Sequence, residues 1–475
     1  MMRMHSPSAA LSWPRVLAAL AAFGVLASAL VLAPAAAKAQ TVDAPSPQAR
    51  SESARQEIKE RYLVNRFPDK PSLPPAFTIP LDPLGYSAPG SIYLGARNAL
   101  ASLDFLDENH LLFTFRVPGL LHRDSEKDDE SVERQIRALV LNLPQGTVAA
   151  QAQWTLHDRA RYIWALKNGH FLLRDRTHLL ESDATLALKP VLDFPGDLLW
   201  LDLDPDQKFL VTNSREPVVK PAKPGPGAPS APSQSSQVSS PSTASANITM
   251  DEDPDKISAE PDLVVRILQR ETAQVLLTSR VRSAIHLPIN SQGYLQNLRG
   301  RASDWILDLS FFTGGSRILG SVQSDCSPED DFLSEDEILA SGCGPQGETR
   351  LVAISTAGRT LWASQAPTTE IWPKLTIAAN GLRFAWETLD TGHPINSYAP
   401  VDPADIKEQS VTVFDAANGD IALVSPVSPV LDAGGNVAIS PSGCRVALLV
   451  AGAIQVFELP APPPLPAAPA KHAGH

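Results

Sequence analysis

Between Ile439 and Leu459 the chain reads ISPSGCRVALLVAGAIQVFEL, and this unit constrains the fold more than any other stretch. Ser440, Pro441, Ser442 and Gly443 are turn formers, and Arg445 to Val450 alternates and then runs apolar as a half-buried strand does. Ala451-Gly452 makes a tight turn, and Ile454 to Leu459 alternates again. The unit recurs along the chain. Turns ending at Asn109, Gly169, Gln207, Gly293, Asp336, Gly381 and Gly443 are each followed by a β-rich run, such as LLFTFRV, HFLLRD, KFLVTNS or LRFAWET. A second signal lies one strand further on, in NLPQGTVAA, RETAQVLL, FFTGGSRIL, STAGRTLWA and DAANGDIAL, where Gly or Thr suits a turn. Each repeat therefore reads as four antiparallel strands, a to d, with the first signal between a and b and the second between c and d.

Three interruptions break the repeats: Pro118 to Arg134, dense in charge; Pro217 to Pro261, low-complexity Pro, Ser and Ala; and Asp390 to Gln409. With these set aside, 91–459 leaves about 41 residues for each of seven units, inside the ~40–45 usual for a four-stranded propeller blade. The expected fold is all-β, a seven-bladed β-propeller of four-stranded antiparallel blades. The last repeat supplies strands a, b and c only. Residues 91–95 (SIYLG) read as an orphan strand that completes it beside Ile454 to Leu459, so that an N-terminal strand closes the ring and leaves no open edge there.

Around this domain the chain is simpler. Arg3 and Arg15, the apolar run Val16 to Ala33 and the small-x-small site Ala37-Lys38-Ala39 read as an export signal over 1–39, with an uncleaved membrane anchor as the alternative. Residues 40–90 are a Pro-rich strap or linker, 217–261 a disordered insertion, and 460–475 a Pro-rich disordered tail. Losing Arg3, Arg15 and Lys38 takes the net charge from −12 to −15. Such an acidic surface argues against nucleic acid or an anionic membrane as partner, and no stable membrane insertion is expected once the signal is removed.

The residues also carry a resemblance. FLVTNS at Phe209 to Ser214, after DPDQK, resembles the repeat of YVTN-type propellers, and FDAANGDIAL at Phe414 to Leu423 is similar to strands c and d of WD40-like and quinoprotein-like propellers. It covers most of 91–459 and implies a ring closed by the chain ends, in an exported bacterial member of that superfamily. The Trp-Asp dipeptide of true WD40 repeats does not occur.

Chemical motifs are sparse. Gly342 to Gly347 matches GxGxxG, but a strand follows where a dinucleotide site needs a helix. Asp202, Asp204 and Asp206 have the spacing of a calcium loop without its sharp-turn Gly or its bidentate acid, so they read as a turn. His157, His170 and His178 lie in one blade and could face one another, but structural or surface roles are the preferred reading. Seven tryptophans, at 154, 164, 200, 305, 362, 372 and 386, fall in or near strands and read as packing between blades. Cys326 and Cys343 bracket an a–b hairpin while Cys444 belongs to another blade, so 326–343 is the expected disulfide, with three reduced buried thiols as the alternative. No catalytic, metal or cofactor residue is assigned.

Two function classes follow. One is a periplasmic or secreted interaction module that holds a protein or an envelope component; the other is a propeller-type enzyme, such as a lactonase, lyase or quinoprotein-like dehydrogenase, working in the central channel. All three interruptions fall between strands b and c, so all emerge on one face. They bring to it Asp124, Glu126, Asp128, Asp129, Glu130 and Glu133, and also Asp251, Glu252, Asp253 and Asp255. The expectation is an acidic face that binds a basic or polar macromolecule with salt-sensitive affinity.

Overall fold

The computed structural model describes residues 72–88, 101–117, 133–157, 161–216, 263–345, 348–366, 370–392, 405–431 and 434–464. These form seven antiparallel sheets in chain order, with strand a of each sheet on one side and strand d on the other. The first strands of blades one and two pack beside one another, as do those of blades one and seven and of blades six and seven, so the a strands form an inner wall. The d strands form the outer rim.

Six sheets have four strands. Blade four has three, Gly293–Arg299, Asp304–Phe311 and Ser316–Gln323, and its strand a is reduced to one bridge between Ile289 and Tyr294. The seven hydrophobic clusters fall one at each junction between adjacent blades. The poorest lies between blades three and four, where Val211, Val265, Ile267 and Ile289 are its buried members and eight further apolar side chains are only partly covered. Losing an inner strand removes the side chains that would have filled that junction.

The ring closes through the chain ends, as expected, but with a different strand. Phe77–Pro80 pairs antiparallel with Ala453–Glu458, Phe77 opposite Val456 and Pro80 opposite Ala453. This corrects the assignment to 91–95, which lie outside the described residues, and it places the closing strand within the stretch read as a linker. The physical reason is that an outermost strand needs only one hydrogen-bonded edge, so proline is tolerated at its end. Ile79 and Leu81 are buried between blades seven and one, and Tyr86 sets its ring edge-on against Phe113 and Phe115 at 5.3 and 5.4 Å.

Two regularities hold the repeat in place. Every c–d pair in blades one to six carries a register shift shortly after its turn, leaving one d-strand residue without a direct partner: Ala149, Val191, Leu276, Leu319, Leu361 and Ala422. A bulge there twists the outer strand and interrupts an edge that would otherwise template another chain. On the opposite side of each blade, the a–b turns lean on their neighbours. Gly381 adopts φ +72°, and a Cβ there would sit 2.4 Å from the Leu333 carbonyl of the preceding blade, so glycine is required. Gln207 takes the left-handed conformation (φ 60°) without being glycine, and its amide bonds to Lys167 N at 2.6 Å and Ala165 O at 3.2 Å in blade two.

Candidate functional site

The inner wall carries a set of charged and polar side chains drawn from several blades. In strand a of blade one, Ala101, Leu103 and Phe105 are buried while Ser102 and Asp104 remain half-buried, the Ser102 hydroxyl donating to Asp104 Oδ2 at 2.7 Å. Arg161 opens blade two. Its Nε donates to the Ile163 carbonyl at 2.9 Å, and its guanidinium lies 5.3 Å from the ring centre of Trp164. Burial pulls this guanidinium below the usual arginine range, opposed by the charges of Asp104, Asp202 and Glu387. Asp104 and Asp202 lie in the first strands of blades one and three, on the inner wall, while Glu387 is buried in the second strand of blade six. Trp164 meets Trp200 edge-on at 6.5 Å, and Trp200 Nε1 donates to Asp202 Oδ2 at 2.8 Å.

At the poorly packed junction the wall is rebuilt by side chains. Asn213, fully buried, donates from Nδ2 to the Ile285 carbonyl and accepts from Ile285 N, both at 3.1 Å. This holds His286 where strand a of blade four would run. His286 Nδ1 lies 3.0 Å from Asp202 Oδ2 in blade three, and Nε2 lies 2.9 Å from the Asp330 carbonyl and 3.1 Å from Asp331 Oδ1 in blade five. Both ring nitrogens face acceptors, so both carry protons and the ring is a cation. Burial alone would pull the imidazole down, but Asp331 and Asp202 push it well above 6.5. Beside it, burial pushes Asp330 up to about 7, against the amide of Asn297 bonded to its Oδ2.

The expected site residues are distributed as follows. Cys326 and Cys343 form the expected disulfide, across the stem of blade five's a–b hairpin. Cys444 is a free, half-buried thiol. Glu133 is exposed at the foot of a strand; Asp124, Glu126, Asp128, Asp129 and Glu130 lie outside the described residues. The stems of the three long connections nevertheless leave the same face: Arg116 to Arg134, Arg215 to Leu263 and Asp390 to Glu408 are each end-to-start between strands b and c. The described rim of that face is not uniformly acidic, since Arg215, Arg280, Arg282, Arg299 and Arg301 are exposed on blades three and four.

His157, His170 and His178 do not face one another. They pair separately with Asp175 at 2.9 Å, Glu181 at 2.7 Å and Asp193 at 2.7 Å. Asp202, Asp204 and Asp206 also diverge: Asp202 joins the inner wall, Asp204 accepts Phe209 N at 2.6 Å inside its turn, and Asp206 pairs with Lys208 at 2.9 Å. Asp202 lies within strand a (Asp197–Leu203), whereas Asp204 and Asp206 lie beyond its end in the turn, where strand alternation no longer keeps i, i+2 and i+4 on one face. A strand, Thr349–Ser355, follows the GxGxxG match, as its context required. Among the described residues, no group of three His, Cys, Asp or Glu side chains is arranged to hold a metal ion.

Arg161, His286, Asp104 and Asp331 were not singled out from sequence, yet a signal existed. Asp104, Asp202 and Asp331 each stand five residues before the turn ends Asn109, Gln207 and Asp336. A carboxylate repeating at one register of strand a marks a row along the inner wall.

No protein-family model and no curated protein matches the sequence. Solved structures with similar backbones include acylaminoacyl peptidase from Pyrococcus horikoshii, at 10% identity and a TM-score of 0.42 over 74% of this chain and 49% of that one. The chain thus spans about half of that peptidase. The β-propeller domain of the trilobed protease from Pyrococcus furiosus matches at 9% identity and TM-score 0.42, covering 76% of this chain and 94% of the domain. The C-terminal WD40 domain of Sif2 matches at 8% identity and TM-score 0.40, covering 83% and 100%.

Proposed function

We propose that this propeller is an exported binding module that recognises a basic or polar protein or envelope component through the face carrying the b–c connections. The observation that carries this reading is the common origin of the three long connections, whose stems all leave that face. Solvated loops on a rigid scaffold are where recognition residues collect. The charged tongue (Asp124, Glu126, Asp128, Asp129, Glu130 and Glu133) and the exposed arginines of blades three and four make recognition electrostatic, hence weaker at high salt. The 326–343 disulfide supports an oxidising compartment. No helix among the described residues is long and apolar enough to cross a membrane.

The test replaces 118–132 and 217–262 by short Gly-Ser links in separate variants and confirms folding by circular dichroism. Partner recovery from an envelope extract is then compared at low and high salt. Loss of partners in at least one folded variant is expected; identical partners with identical salt dependence in both would place the working surface elsewhere.

A further inference from the structure

On the inner wall of neighbouring blades, Arg161 and Asp202 are joined through Trp164 and Trp200, and among the described residues they form no ion pair with each other. Arg161 is anchored through Nε, and among the described residues neither Nη1 nor Nη2 has a hydrogen-bond or ion-pair partner. Asp202 spends Oδ2 on Trp200 and His286, and its Oδ1 makes no hydrogen bond among the described residues. Arg161 feels the charge of Asp202, yet the two form no ion pair. Between their anchors lie Trp164 and Trp200, packed edge to face. Both charged groups are only partly buried, so solvent reaches them.

A guanidinium held at Nε and stacked on an aromatic face presents its two outer N–H groups as a planar fork, the geometry that grips a carboxylate. A plain anion entering there meets the charges of Asp104 and Asp202 as well. A plain cation meets Arg161 and the protonated His286. A molecule with both charges satisfies both sets, because opposite charges a few ångströms apart interact strongly where water is scarce. We infer that the inner wall between blades two and three is a binding site for a small zwitterion of the amino-acid class, its carboxylate on Arg161 and its ammonium facing Asp202. The site is separate from the b–c face, and binding there needs no residue of the long connections.

Equilibrium dialysis of the full chain against the common L-amino acids, their N-acetyl derivatives and their amides tests this directly. At least one free amino acid is retained, and its N-acetyl and amide forms, each lacking one charge, bind at least tenfold more weakly. Arg161→Lys keeps the charge but loses the fork, and lowers affinity about tenfold with the melting temperature of the unliganded protein unchanged. Asp202→Asn lowers it to a similar extent. Retention of no free amino acid, equal binding of an N-acetyl derivative, or unchanged affinity in Arg161→Lys would each overturn the assignment. The comparison of analogues uses the wild-type chain, so it decides the question even if a variant fails to fold.

Discussion

Nε2 of His286 lies 3.1 Å from Oδ1 of Asp331, a contact that reaches from the segment before blade four to the first strand of blade five. With Nδ1 on Asp202, the same ring ties blade three to blade five across the blade that has lost its inner strand. A charged clamp thus stands where apolar packing is thinnest.

His286→Gln is expected to cost about 1–2 kcal/mol, since two charge-assisted contacts are lost at a partly solvated site. The imidazole is raised above its unfolded value, so its stabilising effect is complete below about pH 6.5 and disappears as pH rises through the folded value. Hydrogen exchange should therefore quicken in 284–289 and 209–215 in the variant at pH 6, and the difference from wild type should shrink at alkaline pH.

Asp330 and Glu337 are both pushed up to about 7 by burial, and Asp204 to about 6. For an acid raised in the folded state, the native form holds its proton longer, so stability falls as pH climbs from near 4 through 7. Asp330→Asn removes this penalty. Its melting temperature should exceed that of the wild type at pH 8, by the equivalent of about 1–3 kcal/mol, and match it only below about pH 4. A thermal melt series across that range is the check.

The disulfide closes a loop with a sequence separation of 17. Cys326→Ser with Cys343→Ser should lower stability by about 3 kcal/mol, chiefly by freeing the unfolded chain. Reductant should lower the melting temperature of the wild type by a comparable amount and leave the double variant unaffected.

Much of this architecture could be read in the chain, because each blade repeats the same two turn signals and the same alternation. The seven turns from Asn109 to Gly443 fall between strands a and b as the pattern required, and the cysteines bridge the hairpin they bracket. The closing strand escaped because Phe77-Thr78-Ile79-Pro80 is short and set in Pro-rich sequence, and its pairing partner lies at the far end of the chain. The inner wall escaped for a related reason. Arg161 and His286 acquire their meaning only from acids on other blades, and sequence proximity carries no trace of contacts made across the axis.

Ile79, in the closing strand itself, is buried and packs into the cluster shared by blades seven and one. Ile79→Asp places an unpaired charge there and should destabilise the ring by about 3 kcal/mol or more. Limited proteolysis should then cut first at the exposed edge of Ala453–Glu458. Protection equal to wild type would argue against closure by 77–80.

The proposed role rests on one face of the ring doing the binding, and site-specific photo-crosslinking in cells expressing the chain measures that directly. A photoreactive residue is placed singly at Glu133, Arg301 or Glu408 on the b–c face, and at Glu271 or Asp420 on the opposite face, all of them exposed. The account predicts adducts to a common partner from the first three positions and none from the other two. Adducts from Glu271 and Asp420, with none from the b–c face, would contradict it.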